Sequence, residues 1–193
     1  MQNKHILIAA GVAAAIAGAV TLGLPKGKTM ESEETVTPVV MAAVFTENMS
    51  VPEGDTSFKS YMDYRCITDR NSPQYKLQGE CWTDKNGLRR FGDDYVIAVG
   101  SYYAESVGER LEITLDNGEE FTAVVGDFKA DAHTDGTHRY YPMSDGNKNV
   151  IEFIVDTGSL DKKAKKMGDI SYIEGFEGNI ESVTKTELFQ EEM

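Results

Sequence analysis

The residues best suited to chemistry cluster between positions 126 and 138, in the sequence GDFKADAHTDGTH. This stretch holds two of the three histidines and three carboxylates: Asp127, Asp131, His133, Asp135 and His138. Asp127 ends an apolar run and stands between Val125 and Phe128. A carboxyl group half-buried in such surroundings has its charged form disfavoured, which suits a general acid. The sequence therefore indicates Asp127 as the first candidate for acid–base chemistry.

Asp156 follows a second apolar run in the same way. Enzymes that cleave glycosidic bonds commonly use two carboxyl groups in different environments, one of them as a general acid. In a small barrel, two aspartates at strand ends can converge on one cleft, so we expect Asp127 and Asp156 to face each other. The alternative is that both are turn or capping residues, because aspartate is common at strand ends.

A metal-binding alternative uses the segment Asp131-x-His133-x-Asp135-Gly136, which begins like a calcium-binding loop. The twelfth position of that loop is Pro142, where an EF-hand needs a bidentate glutamate, so the segment is not an EF-hand. An irregular divalent-metal site using Asp131, His133, Asp135 and His138 stays open. So does a solvated polar loop held together by its own side-chain hydrogen bonds.

The sequence lacks a G-x-S-x-G nucleophile motif, a phosphate-binding loop and a dinucleotide-binding fingerprint. Several aromatic side chains could stack on sugar rings or instead belong to the core or its rim: Trp82, Tyr102, Tyr103, Tyr140 and Tyr141. The three classes of enzyme that carry those motifs are therefore not indicated, and isolated aromatic residues of this kind belong to the core or its rim more often than to a binding cleft.

Short apolar runs separated by Gly, Asn and Asp predict a mainly β body with one helix. Alternation predicts strands over residues 110–115 and 120–127, joined by a hairpin turn at Asp116-Asn117-Gly118. Further strands are expected over residues 95–103, 149–156 and 170–173. The helix would be capped by Thr157 or Ser159, would bury Leu160, Ala164 and Met167, and would end at Gly168. Short strands with irregular joins favour a small barrel over a sandwich.

Residues 6–24 form an uncharged stretch of 19 residues, just long enough to span a bilayer. It predicts a signal peptide or an uncleaved signal anchor within residues 1–28, and a buried helix is the third alternative. Residues 29–56 predict a flexible linker, in which residues 39–45 could be a strand, and residues 186–193 an acidic tail. The body, residues 57–185, would then lie outside the cytoplasm, with the hydrophobic helix as its contact with the membrane.

Cys66 and Cys81 flank a polar segment and are the only cysteines. Outside the cell such a pair is normally bridged, so we expect a disulfide, with two free thiols as the alternative. The formal net charge is −13, which gives the chain no general attraction for phosphate backbones and argues against nucleic-acid binding.

The order of these features is more specific than any one of them. Gly108, the Asn117-Gly118 hairpin, a strand ending at Asp127 and a strand ending at Asp156 before a helix together resemble the double-psi β-barrel of the expansins, the rare lipoprotein A family and the three-aspartate domain of cell-wall lytic enzymes. The likeness covers residues 95–173. The resemblance implies a small six-stranded double-psi β-barrel with one short helix, preceded by the N-terminal hydrophobic helix and linker.

The resemblance also implies an exported domain that acts on peptidoglycan, as a lytic transglycosylase that forms an anhydro-sugar or as a binder that loosens polysaccharide without cleaving it. Asp127 would be the acid and base, Asp156 and Asp131 would orient it or stabilise charge on the sugar, and Tyr102, Tyr103, His133 and Asp135 would contact the glycan. No cofactor is expected. The D-T-G-like turn of the three-aspartate families is replaced here by Asp127-Phe128-Lys129, which favours a second hypothesis, a non-catalytic module for wall polymer or an envelope complex.

Overall fold

A computed structural model describes residues 4–7 and 42–190 of the chain. Within them the chain is mainly β, with two α-helices instead of the single predicted one. The strands are β1 Lys4–Leu7, β2 Ala42–Met49, β3 Ser60–Asp63, β4 Trp82–Thr83, β5 Arg89–Phe91, β6 Asp94–Val99, β7 Arg110–Leu115, β8 Glu120–Phe128, β9 Tyr141–Pro142, β10 Lys148–Asn149, β11 Glu152–Val155 and β12 Ile180–Gln190. The helices are α1 Pro73–Glu80 and α2 Lys162–Met167.

Ten of these strands form one mixed sheet, in the order β1-β2-β12-β7-β8-β6-β11-β3, with β5 added beside β6 and β4 beside β5. β6 and β8 are parallel, as are β3 and β11. β9 and β10 form a separate two-stranded sheet. Within the described residues, β1 and β3 end the order without pairing to each other. The sheet is therefore open, and the predicted closed barrel of six strands is not observed.

The β7–β8 hairpin is confirmed, and it supplies a large part of the core. Leu111, Ile113 and Leu115 alternate with exposed or half-buried residues and are fully buried, as alternation in a half-buried strand requires. Gly118 has a φ of 86°, which the turn needs and which glycine adopts without strain. The hairpin fixes β8, and thereby the position of Asp127 near its end.

The sheet is covered on both faces. On one face, the aromatic rings of Tyr95, Phe121, Phe153 and Phe176 pack with centroid separations of 5.0–5.9 Å. On the other face lies a smaller buried cluster formed by Val96, Val124 and Ile154, against which Leu77 of α1 packs. The central residues of β6, β8 and β11 are therefore buried, whereas β3 is an edge strand of the sheet.

Helix α1 was not predicted, because its sequence PQYKLQGE carries no apolar stripe. Its start nevertheless has a local signature: Ser72 Oγ accepts a hydrogen bond from Tyr75 N, and Pro73 occupies the first turn. Helix α2 is capped two residues after Ser159 and four after Thr157, the two predicted caps, because the Asp161 carboxylate accepts from Lys163 N and Ala164 N. It ends at Gly168 as predicted, but Met167 is half-exposed.

Two further segments differ from expectation. Ile170–Tyr172 is a 3-10 turn instead of a strand, because the carboxylate of Asp169 accepts from Ser171 N and fixes the turn. β2 occupies part of the predicted linker and pairs with β12 over eight residues. β12 itself extends through Gln190, into the predicted acidic tail.

The predicted hydrophobic helix over residues 6–24 lies outside the described residues, except that Ile6 and Leu7 belong to β1. No helix among residues 4–7 and 42–190 is long and apolar enough to cross a bilayer. Both Cys66 and Cys81 are free thiols, so the predicted disulfide is not formed in this structure. Burial raises the pKa of Cys81 to about 11, and its thiol donates to the carbonyl of Leu77 at 3.1 Å.

Candidate functional site

Asp127 lies near the end of β8, on the face of the sheet that α1 covers. The register between β6 and β8 shifts after Ile97, so that Gly126 is passed over and Asp127 lies opposite Ala98. Its carboxylate is half-buried, and its one hydrogen bond among the described residues comes from Gln74 Nε2 at 3.4 Å. A bond of that length is weak, so both carboxylate oxygens retain capacity for a proton or a ligand.

The strand directions do not bring Asp127 and Asp156 together. β11 runs antiparallel to β6, and Glu152 is the residue of β11 that pairs with Ala98, opposite Asp127. Asp156 lies four residues beyond Glu152, which is about 13 Å further along the strand direction, toward the opposite end of the sheet. Glu152 lies two strand spacings from Asp127, about 10 Å between their Cα atoms. The second carboxylate at this end of the sheet is therefore Glu152.

Asp156 belongs to a turn at the far end of β11. Its Oδ1 atom accepts from Gly158 N at 2.9 Å and lies 3.4 Å from Arg65 Nη2. These contacts match the turn-residue alternative stated above. They place Asp156 in a cluster with Asp63, at the end of the neighbouring parallel strand β3.

Asp131 and Asp135 are also tied to nearby groups. Asp131 is exposed, accepts from Ser101 Oγ at 2.7 Å and lies 3.5 Å from His138 Nδ1. Asp135 accepts from Arg139 N at 2.7 Å, from Tyr140 N at 3.1 Å and from the hydroxyl of Thr137. Burial alone would raise the pKa of Asp135, but these hydrogen bonds outweigh it and lower the pKa to about 2. The loop is thus held by its own side chains.

The two tyrosines predicted to line a glycan groove pack against the body instead. Tyr103 is fully buried, and its hydroxyl donates to the carbonyl of Ser50 at 3.2 Å. Tyr102 is half-buried, accepts from Ser50 N, and packs edge-to-face on Tyr103 with centroids 5.1 Å apart. Tyr103 is therefore a core residue that anchors the segment after β2, and its prediction as a ligand-contacting residue does not fit its burial.

A cleft of about 390 Å³ opens beyond the end of β8. Of the residues singled out in the sequence, His133 and Tyr141 line it, and the side chain of His133 is exposed. The other polar residues of its lining had not been identified from the sequence: Ser60, Lys129, Asn149 and Glu152. Tyr141, which is 45 % exposed, adds an aromatic ring. This volume is within the range of small-ligand sites.

Lys129 is the most unusual residue of this cleft. Its side chain is buried although lysine is almost never fully buried without a partner. Burial lowers the pKa of Lys129 to about 8, against an opposing attraction from Glu152. With the amide of Asn149 oriented to donate to the carbonyl of Ile151, its oxygen accepts from Ser60 Oγ at 2.6 Å and from Lys129 Nζ at 3.2 Å. No pattern in the sequence distinguishes Lys129 from a solvated lysine.

A second cleft, of about 440 Å³, lies beside the Asp63–Asp156 cluster and is lined by Tyr64, Arg65, Tyr75 and Gln78 among others. In the described part of the chain, no three His, Cys, Asp or Glu side chains are grouped as metal ligands. Comparisons with protein-family models, with curated proteins and with solved structures gave no match to this chain.

Proposed function

We propose that the chain is an extracytoplasmic domain, held at the membrane by its N-terminal segment, that binds and remodels peptidoglycan glycan strands. The observation that carries this proposal is the placement of Asp127. Its carboxylate is half-buried and weakly hydrogen-bonded, and the next residue along the chain, Phe128, lines the cleft that contains Lys129, His133 and Tyr141. Such a combination of a free carboxyl group and an aromatic surface suits acid–base chemistry on a sugar.

In the reaction we propose, Asp127 protonates the glycosidic oxygen as the bond from C1 of the sugar to that oxygen breaks. The 6-hydroxyl of the same sugar then bonds to C1 and gives its proton to Asp127, which regenerates the acid. No water is consumed, and the product is an anhydro-sugar. Glu152, about 10 Å from Asp127 across β6, takes the stabilising role first expected of Asp156.

We also propose that the open sheet is a variant of the double-psi β-barrel. In support, the parallel pair β6–β8 brackets the β7 hairpin, and the strand β11 leads into α2 and Gly168 in the expected order. The parallel pair β3–β11 adds a second crossing connection. The long β12 and its partner β2 occupy the edge beside β7.

A second function, non-catalytic binding of wall polymer, is favoured by a specific observation. Asp131 and Asp156 both serve local turns and neighbouring side chains, so Asp127 lacks the two aspartate partners that the resemblance implies. In this version the cleft holds the glycan, and Asp127 accepts a hydrogen bond from it.

The deciding experiment incubates the full chain, in mild detergent, with purified peptidoglycan and identifies the soluble products by mass spectrometry. We expect anhydro-muropeptides from the unmodified protein and none from Asp127→Asn. Asp93→Asn, which removes the same charge from an exposed turn, should retain full activity. Retention on insoluble peptidoglycan without soluble products would exclude catalysis and leave the binding function. Neither products nor retention would exclude both.

A further inference from the structure

The ammonium of Lys129 is a buried cation without a direct counter-ion. It takes part in none of the ion pairs among the described residues. Glu152 attracts it only from a longer range, because the two side chains share the cleft without forming a salt bridge. A buried charge is costly unless it is paired and hydrogen-bonded. An anionic ligand in the cleft would supply the counter-ion that Lys129 lacks.

The hydrogen bonds of Lys129 are incomplete as well. A lysine ammonium carries three N–H donors, and one of them is directed at the amide oxygen of Asn149, 3.2 Å away. That oxygen is already shared with Ser60 Oγ at 2.6 Å. Two donors of Lys129 therefore have no acceptor among the described residues, and they belong to a side chain that lines an open cleft.

We propose that this cleft binds the carboxylate of an acidic sugar, with the ammonium of Lys129 as its counter-ion. A carboxylate accepts a charge-assisted hydrogen bond from an ammonium and neutralises its charge. The sugar ring has the exposed ring of Tyr141 to pack against, and the exposed side chain of His133 also lines the cleft. The sugar part of the ligand rests on the proposed function, whereas the carboxylate part rests on Lys129 alone.

Two kinds of acidic sugar share this chemistry: an amino sugar that carries a lactyl carboxylate, as in peptidoglycan, and a uronic acid. The test uses two matched pairs of probes, N-acetylmuramic acid against N-acetylglucosamine and glucuronic acid against glucose. Each pair is titrated into the full chain at about pH 6, where a lysine is protonated, and binding is followed by nuclear magnetic resonance.

We expect the acidic member of at least one pair to bind about tenfold or more tightly than its neutral partner. Lys129→Met should abolish that preference, and Lys85→Met, which removes an exposed lysine elsewhere, should preserve it. Preference in the first pair only assigns the ligand to peptidoglycan. Preference in the second pair only supports the carboxylate site while arguing against the proposed function.

A measurement on the unmodified protein covers the case in which Lys129→Met does not fold. Saturating acidic sugar should raise the pKa of Lys129, since a bound carboxylate favours the ammonium, whereas the neutral sugar should leave it unchanged. Glu152 and His133 are the other titratable groups whose signals must be followed in this cleft. Equal binding of acidic and neutral sugars, or an unmoved Lys129 pKa, overturns the proposal even if glycan cleavage is observed.

Discussion

Arg65 Nη2 lies 2.6 Å from Asp63 Oδ2, and this ion pair lies at the ends of the neighbouring parallel strands β3 and β11. Asp63 also accepts from the backbone N–H of Thr157 at 3.0 Å and from its hydroxyl at 2.6 Å. The carboxylate thereby links the turn after β3 to the turn after β11. Because the Asp63 side chain is only 14 % exposed, its hydrogen bonds with Thr157 are partly shielded from water, whereas the Arg65 side chain is exposed.

The Asp63 cluster predicts a pH-dependent stability. Hydrogen bonds from Arg65, and then from Thr157, hold the pKa of Asp63 well below its usual range. A carboxylate with a lowered folded pKa contributes stability above its unfolded pKa, about 3.9, and loses it as the pH falls below that value. Asp63→Asn should therefore lower the free energy of unfolding by about 2 kcal/mol at neutral pH. The difference from the unmodified protein should shrink as the pH falls below about 4.

Urea denaturation across this pH range measures the effect. Asp93→Asn, at an exposed turn, is the matched control and should change stability little at any pH. If Asp63→Asn lowers the free energy of unfolding by the same amount down to acid pH, the negative charge of Asp63 is not what stabilises the fold.

Lys129 predicts a pH dependence of the opposite kind. Its folded pKa of about 8 lies below the usual lysine value, so between about 8 and 10.4 the unfolded chain binds more protons and stability rises with pH. Below that window the buried ammonium costs about 3 kcal/mol. Lys129→Met should therefore stabilise the fold at neutral pH, and this gain should fall as the pH approaches 10.

Thermal or urea unfolding at neutral and alkaline pH tests this, with Lys85→Met as the exposed control. Lys59 is a second buried lysine whose pKa is about 8. Its contribution cancels when the free energy of unfolding of the variant is subtracted from that of the unmodified protein. A gain that is the same at both pH values would mean that the pKa of Lys129 is the same in the folded and the unfolded protein, so that burial does not disfavour its ammonium.

Gly126 predicts a packing constraint at the irregularity that positions Asp127. A Cβ at this residue would lie 2.3 Å from Val96 Cγ1. Gly126→Ala should therefore destabilise the fold by about 1–3 kcal/mol, and Val96→Ala combined with it should recover part of that loss because the clashing methyl group is removed.

The double-mutant cycle is measured by urea denaturation. Gly136→Ala is the matched control, because a Cβ there meets nothing within 4 Å. Strictly additive costs for Gly126→Ala and Val96→Ala would contradict the proposed contact.

The β7–β8 hairpin could be predicted because its information is local: alternation in RLEITL, a turn at Asp116-Asn117-Gly118, and alternation again in the return strand. The end of α2 could likewise be predicted, from Gly168. The predicted convergence of Asp127 and Asp156 was wrong, because it depends on strand direction. The antiparallel pairing of β11 with β6 cannot be read from the composition of either strand.

The cleft itself was missed for a different reason. Lys129 directly follows β8, Asn149 lies in β10 and Glu152 lies in β11, and only the tertiary fold places them around one opening. Burial of Lys129 arises from its neighbours, while its own sequence context, Phe128 followed by Lys129 and Ala130, equally fits a solvated turn. Ser72 and Pro73 did offer a local sign of α1, which covers Asp127.

The pairing of β2 with β12 also has a mechanical consequence. Their eight cross-strand pairs run from Val183–Met49 to Gln190–Ala42. Tension applied along β2 from its Ala42 end, with the body held fixed, loads all eight pairs in shear, so that they must yield together. A force that separates Ala42 from Gln190 instead opens the ladder one pair at a time. The same strand pair therefore resists tension along the axis of β2 far better than it resists peeling.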